Sequence, residues 1–332
     1  MTHRDFWHNS KIGVMGAGSW GLVLAHLASH NCREVRVWLR SEEQARSINA
    51  TRAHPRAMAG LQLSEKVRAY SSMERFFEGG LDAVVWALPS SACREQAQAV
   101  AHRLTGEELI IHATKGVEPG TLRRISEVLG DELPTRRLGI ISGPNLASEI
   151  AKGEPAATVI ASSFSEVCDA GEVLFSSDRF RIYRETDVIG VEWAGVLKNI
   201  LAIGVGALDA LGFGWNSRAM LITLGLSEML RFGVAMGGLQ STFLSLAGVG
   251  DLMATCSPLS RNYTVGLRVA RGEPLETVLA ELGHVAEGVK TTQSVWEFAL
   301  ENGIEMPMTR GVYRLLSGEA SVPEIVHDLM TR

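Results

Sequence analysis

Lys198 lies where an ammonium group has no evident structural purpose. Residues 190–212 read GVEWAGVLKNILAIGVGALDALG. In a helix, the positions three and four away from Lys198 are Ala194, Gly195, Leu201 and Ala202. All four are small or apolar, so the lysine projects from a face expected to be buried. Lysine is rarely buried without a partner, because taking its charge out of water is expensive. Either something meets it or its pKa falls, and both outcomes suit a proton donor in a closed active site. The alternative is a lysine whose stem lies on apolar surface while its head reaches water. Asp251, in the segment LAGVGDL at 246–252, is a lone carboxylate after an apolar run and two glycines. It is the candidate partner, able to hold the ammonium and offset its desolvation; taken alone it reads as a helix cap. Asn199, next to Lys198, and Thr255, four residues past Asp251, are candidates to hydrogen-bond substrate hydroxyls.

Three further groups could hold anions. Ser260, Arg261 and Asn262 combine hydroxyl, guanidinium, amide and backbone N–H donors at an expected helix start, an arrangement suited to a phosphate; an N-cap followed by a solvated arginine is the other reading. Lys115 follows the apolar run ELIIHA, where it can meet a cofactor or an anionic substrate, or simply face solvent. Gly143-Pro144-Asn145, after RLGIIS and before Ala147, makes a rigid turn whose N–H groups could bed ligand oxygens, or else a plain strand-to-helix turn.

Near the N-terminus, KIGVM runs into GAGSWG at 16–21, then an amphipathic stretch, then EVRVW. Strand, glycine turn, helix and strand within about thirty residues form the dinucleotide-binding unit. Gly16 permits the tight turn, Gly18 lets the backbone approach the pyrophosphate, and Gly21 lets helix pack on strand. The helix N-terminus supplies N–H groups and the positive end of its dipole to that anion. An NAD site usually carries Asp or Glu at the tip of the second strand, whereas this chain has Arg40 there. A guanidinium attracts a 2′-phosphate, which favours NADPH and leaves NADH possible. Glu42 and Glu43 compete with that reading unless they serve the N-terminus of the next helix.

The elements that must position these residues fall into two halves. Up to residue 186, short apolar strands (67–70, 82–89, 108–113, 137–142, 157–161 and 179–183) alternate with helical patterns. That is an α/β pattern: an N-terminal Rossmann-like, mostly parallel sheet covered on both faces, with ligands expected at the carboxyl ends of its strands. From 187 to 332 the β signal disappears and a C-terminal all-helical domain is expected, with helices at 188–211, 216–236, 261–271, 274–282, 289–302, 307–317 and 322–330 and a glycine-rich break between the second and third. A cleft between such domains commonly receives a small substrate.

At 332 residues, 46% hydrophobic and 21% charged, the composition is that of a soluble two-domain protein. A net charge of −5 without a basic cluster argues against a nucleic-acid partner. Cys32, Cys93, Cys168 and Cys256 are scattered without metal-ligand spacing, which suits reduced thiols in the cytoplasm and no bound metal. The polar opening MTHRDFWHNS lacks the apolar core of a signal peptide. The longest apolar stretch is interrupted by Lys198 and Asp209, as expected of a buried helix and not of membrane insertion.

Taken in order, GAGSWG, ATKGVEPGT, ISGPNLASEIAKGEPAA, GVLKNILAIGVGALDALGFGWNSRAMLITLGLSEM, FLSLAGVGDLMATC, SPLSRN, AEGVKT and GIEMPM resemble the bacterial-type NAD(P)-dependent sn-glycerol-3-phosphate dehydrogenases over nearly the whole chain. The resemblance implies reversible reduction of dihydroxyacetone phosphate to sn-glycerol 3-phosphate for phospholipid synthesis. It implies that Ser19, Trp20, Arg40, Ala147, Val285 and Glu287 touch the cofactor, and that Lys115 reaches cofactor and substrate. Gly143 and Asn145 would lie at the substrate, and Lys198 would be the acid/base beside Asp251 and Thr255. Ser260 and Asn262 would hold the substrate phosphate, with Arg261 between phosphate and cofactor, in a possible homodimer. Asn145, His112 and Trp193 depart from the family pattern, and the segment between Asp251 and Ser260 is one residue shorter than in many members. A reductase of another small phosphorylated or carboxylated ketone, of the ketopantoate type, is the alternative enzyme. A dinucleotide-binding protein without chemistry is the alternative of another class.

Overall fold

The computed structural model describes residues 3–282 and 286–331. Residues 1–114 and 125–188 form one compact unit, and residues 115–124 and 189–332 a second.

The first unit is built on eight strands: β1 (Lys11–Met15), β2 (Glu34–Trp38), β3 (Val67–Tyr70), β4 (Ala83–Trp86), β5 (Leu109–His112), β6 (Leu138–Ser142), β7 (Ala156–Ala161) and β8 (Phe180–Glu185). They lie in the order β3-β2-β1-β4-β5-β6-β7-β8. The first six are parallel. Every residue of β4 and β5 is buried, which explains why their sequences, His112 excepted, are apolar instead of alternating. The sheet reverses between β6 and β7, which pair antiparallel, and β8 runs parallel to β7. The intervening residues 143–155 hold only the four-residue helix Ala147–Ile150. The strand order turns at β1 and β4, so the glycine turn after β1 sits at the topological switch point.

The second unit is helical and centres on the helix Val188–Ala210, long and apolar enough by composition to span a membrane but mostly buried within the protein. Each ionisable residue of this helix is met. Glu192 pairs with Arg124, Lys198 with Asp251, and Asp209 with Arg218 and the Tyr263 hydroxyl. The helices Trp215–Ala235, Arg261–Ala270, Leu275–Leu282, Glu287–Glu301, Pro307–Leu316 and Val322–Met330 follow. The glycine-rich break is more ordered than its composition suggests. It contains a helix Gln240–Phe243, a π-helical turn Leu246–Gly250 and a helix Asp251–Thr255.

One segment differs from the sequence expectation. Residues Lys115–Arg124, placed by strand pattern in the sheet domain, cluster with the helices. Val117 is buried in the helical core, Leu122 packs against it, and Arg124 is tied to Glu192.

The long helix and Arg261–Ala270 touch backbone to backbone. A Cβ at Gly206 would meet the Tyr263 carbonyl oxygen at 2.0 Å, and one at Gly266 would meet the Ile203 carbonyl oxygen at 1.9 Å. Only glycine allows this approach, which brings Asn262 beside Asn199. Gly266→Ala is therefore expected to destabilise the protein by about 2–4 kcal/mol, read as a lower urea midpoint with an unchanged slope.

Candidate active site

Lys198 is 5% exposed and Asp251 1% exposed. The Lys198 ammonium donates to Asp251 Oδ1 at 2.5 Å and to Thr255 Oγ1 at 2.7 Å. Asp251 and Thr255 sit one turn apart on the short helix that the π turn introduces, so carboxylate and hydroxyl face the same way. The π turn, a geometry frequent at functional sites, delivers Asp251 into the apolar interior. The second oxygen of Asp251 accepts from Lys115 Nζ at 2.7 Å. One carboxylate thus serves two ammonium groups, and the cluster carries one positive charge in excess when all three are ionised. Burial pushes the Lys198 amine down to about 7, helped by the Lys115 charge and opposed by Asp251.

A second layer of amides supports the cluster. Asn199 Nδ2 donates to the Gly195 carbonyl at 3.2 Å and the Lys115 carbonyl at 3.4 Å, and its oxygen accepts from Asn262 Nδ2 at 2.9 Å. Asn262 Oδ1 in turn accepts from the Gly288 N–H at 3.1 Å. The Asn199 carboxamide, expected from sequence to meet substrate hydroxyls, is instead spent tying three segments of the unit together. Thr255 is likewise engaged, receiving a hydrogen bond from Lys198. Ser260 caps the helix Arg261–Ala270 through the Tyr263 N–H, while Arg261 is exposed at the first position of that helix. An anion there would meet the Arg261 guanidinium and the N–H groups of the helix start. Glu287 opens the helix Glu287–Glu301, and Val285 lies outside the described residues.

In the sheet unit, Gly16 has φ +112°, and a Cβ there would strike the Ala87 carbonyl oxygen at 2.4 Å. A Cβ at Gly21 would strike the Gly16 carbonyl oxygen at 2.1 Å. Both glycines are required by the protein itself. Gly18 is different: a Cβ there meets nothing within 4 Å, and its φ of −69° suits any residue. The glycine keeps open a cradle above the N-terminus of the helix Ser19–Asn31, where Ser19 is exposed. That cradle, with no side-chain cap on the helix N–H groups, fits a dinucleotide pyrophosphate. Trp20 is half-buried, its ring edge-on to Phe180. Arg40 is exposed at the end of β2. Ser41 caps the following helix Glu42–Thr51, whose first turn takes Glu42 and Glu43; Glu42 also pairs with Arg46. Both carboxylates therefore have a helix-dipole role of their own.

The strand-end loop after β6 holds Gly143 at φ +149°, and Asn145 Nδ2 donates to Thr158 Oγ1 at 2.9 Å on β7. Asn145 Oδ1 is buried without a hydrogen-bond partner among the described residues, while Ala147 begins the short helix beyond. Thr158, fully buried, escaped the sequence reading because a threonine within a strand carries no signal of its own. The Lys115–Asp251 pair was equally hidden, since the two residues are 136 positions apart.

Set beside known proteins, residues 11–168 match the family model described as NAD-dependent glycerol-3-phosphate dehydrogenase N-terminus, and residues 187–327 match the corresponding C-terminus. A glycerol-3-phosphate dehydrogenase (NAD(P)+) of Nitratidesulfovibrio vulgaris is 41% identical over 97% of this chain and 98% of its own length. That of Oceanobacillus iheyensis is 39% identical over 97% and 94%. The crystal structure of glycerol-3-phosphate dehydrogenase from Coxiella burnetii is 34% identical, covers 98% of this chain and all of its own, and superposes with a TM-score of 0.91. A ketopantoate reductase from Ralstonia eutropha, at 17% identity and TM-score 0.58 over 92% of this chain and 97% of its own, shares the fold alone.

The three glycines of the turn are separable by experiment. Gly18→Ala is expected to fold with an unchanged melting temperature yet bind NAD(P)H about tenfold or more weakly, because the added methyl fills only ligand space. Gly21→Ala should lose stability instead. Thermal unfolding and fluorescence titration of the two variants distinguish the cradle from a purely structural turn.

Proposed function

The chain belongs to the NAD-dependent glycerol-3-phosphate dehydrogenases, and from that premise we propose how its own residues carry out the reaction. The enzyme interconverts dihydroxyacetone phosphate and sn-glycerol 3-phosphate with NAD(P)H, supplying the backbone for phospholipid synthesis. The bound dinucleotide supplies or accepts hydride at C2 of the triose.

Lys198 is the acid/base. As C2 is reduced, an alkoxide develops in a site of low dielectric, where it needs both charge stabilisation and a proton; the Lys198 ammonium provides both. In the oxidising direction the neutral amine takes the proton from the C2 hydroxyl. The observation that supports this reading most is the burial of Lys198 against Asp251, with its amine pushed down to about 7, poised to work in either direction near neutrality. Asp251 and Thr255 orient the Lys198 nitrogen. Lys115 adds a second cation that favours an anionic substrate. Asn199 holds the scaffold behind these groups.

The substrate phosphate is assigned to Ser260, Arg261 and Asn262. Since the Ser260 hydroxyl and the Asn262 carboxamide already have partners within the unit, the grip falls on the Arg261 guanidinium and the helix N–H groups. Binding energy gained there, away from the reacting carbon, serves to align C2. Gly16, Gly18, Ser19, Trp20 and Gly21 cradle the dinucleotide, with Ala147 and Glu287 as further contacts and Gly143 and Asn145 assigned to the substrate. Arg40, at the tip of β2, favours NADPH over NADH through its charge. Its neighbours Glu42 and Glu43 lie in the first turn of the next helix, where their charges favour its N-terminus.

Lys198→Ala is expected to lower turnover by about three orders of magnitude or more while leaving NADPH affinity intact, measured by dinucleotide absorbance and by fluorescence titration. In the parent enzyme, triose reduction requires the ammonium and should decline as pH rises through about 7, whereas oxidation requires the amine and should rise over the same range. Turnover of Lys198→Ala close to the parent value would remove Lys198 from the chemistry. Arg40→Ala should raise the KM for NADPH by about tenfold and leave that for NADH little changed; an equal effect on both would argue that Arg40 does not read the 2′-phosphate.

A further inference from the structure

The residues Lys115–Arg124 leave the sheet unit after β5 and become part of the helical unit. They form a small hairpin. Val117 and Arg124 make an antiparallel bridge, and the Glu118 N–H donates to the Arg123 carbonyl at 2.9 Å. The turn reads Glu118-Pro119-Gly120-Thr121, with Gly120 at φ +82°, as expected where proline precedes glycine in a type II turn. Leu122 has φ +55°, a conformation bulky side chains rarely adopt, while it packs against the helical core. A residue stays there only when its surroundings over-determine it.

Two side chains of the long helix pin the hairpin at its two ends. Asn199 donates to the Lys115 carbonyl, and Arg124 Nη1 donates to Glu192 Oε2 at 2.7 Å. Glu192 and Asn199 are seven residues apart, two turns on one helix face, separated by about 10 Å. The hairpin therefore runs along that face, and its first residue, Lys115, reaches Asp251. The Glu192 side chain is 3% exposed and that of Arg124 15%. A buried ion pair of this kind contributes little net stability, and apolar residues of similar volume often do as well. What the guanidinium–carboxylate pair does provide is a fixed geometry.

We propose that the Arg124–Glu192 ion pair is a positioning device for the reaction, holding the 115–124 hairpin so that Lys115 stays on Asp251 beside Lys198. The inference rests on the reading of Lys198 as the acid/base. Neither residue touches the reacting atoms; both act through Lys115. The titratable and charged groups acting on Lys198 are Asp251, Lys115 and the Cys256 thiol. Lys115 disfavours the Lys198 ammonium and Asp251 favours it. Loosening the hairpin withdraws a cation from Lys198, so the amine becomes harder to deprotonate and oxidation needs a higher pH.

The test compares full-length Glu192→Gln, the double variant Arg124→Met/Glu192→Leu, Lys115→Met, and Lys115→Met combined with Glu192→Gln. The double variant guards against instability from a single unpaired buried charge. Melting temperature, NADPH affinity and the pH profile of glycerol 3-phosphate oxidation are measured for each. The double variant should melt close to the parent and bind NADPH normally. Its kcat for oxidation at neutral pH should nevertheless fall about tenfold, and its rising limb should move to higher pH by about half a unit or more. Lys115→Met should move the limb the same way, and adding Glu192→Gln should move it no further. Pair variants that lose only stability, with the limb unmoved, would overturn the proposal, as would additive shifts in the Lys115→Met background. Lys198→Ala, run alongside, separates the two levels. A limb that persists in its residual rate refutes the acid/base assignment, whereas a limb lost there but unmoved by the pair variants refutes only the positioning role.

Discussion

One carboxylate, Asp251, is shared by two ammonium groups inside an apolar helical unit, and the rest of that unit is arranged to keep it there. Neither Lys198 nor Asp251 could stay charged in that interior without the other, since an unpaired buried charge costs far more than a surface ion pair returns. The second lysine changes the character of the pair. With Lys115 present, Asp251 is shared, its hold on Lys198 is diluted, and burial is free to bring the amine down to about 7. A simple Lys–Asp pair would keep the proton too firmly, and an isolated buried lysine would not hold it at all. The three-residue arrangement lies between these limits, where a group can both give and take a proton.

Holding three charges to within a few tenths of an ångström takes rigid surroundings. The π turn at Leu246–Gly250 sets the entry angle of the Asp251–Thr255 helix. The backbone contact at Gly206 and Gly266 locks the helix Arg261–Ala270 against the one that carries Lys198. Across that contact the amides of Asn199 and Asn262 form a chain ending on the Gly288 N–H, so the helix Glu287–Glu301 is registered to the same centre. Packing, backbone geometry and polar satisfaction all point to one arrangement, as expected where a site has been pre-organised.

Much of this was legible in the sequence, where local chemistry leaves a local mark. The turn 16–21 announced its strand and helix because steric demands on Gly16 and Gly21 and ligand space at Gly18 fall at fixed spacing. Lys198 stood out because one charge among apolar residues at helical spacing needs a reason. Outside the glycine-rich break, the helices after 188 follow the apolar period to within a few residues at either end; the one expected from 289 begins at Glu287. What could not be read is what depends on distant pairing. The hairpin 115–124 looks like an ordinary loop after a strand, and only its tertiary partners reveal that it belongs with the helices. The antiparallel step from β6 to β7 is invisible in strands whose sequences do not alternate between apolar and polar residues. The glycines at 237, 238, 248 and 250 read as a break, although at Gly248 and Gly238 close backbone contacts require a residue without a side chain. A polar residue beside a buried lysine invites assignment to a ligand, whereas the hydrogen bonds of Asn199 engage it within the scaffold.

The protonation of Lys198 also argues against a protein that merely binds a dinucleotide. Unfolded, its amine titrates near 10.5; folded, it titrates at about 7. Between those values the unfolded chain holds a proton that the folded one has released, so this group makes stability rise with pH across that window. Below about 7 both states are protonated and the fold bears the full penalty, on the order of a few kcal/mol. Stability alone would be better served by a leucine or methionine at position 198, as its neighbours on the helix are apolar. A dinucleotide carrier would have no need of a buried lysine in the helical unit. A fold that sustains such a cost in its helical unit, and surrounds it with a second lysine, an oriented hydroxyl and a chain of amides, is built for moving a proton.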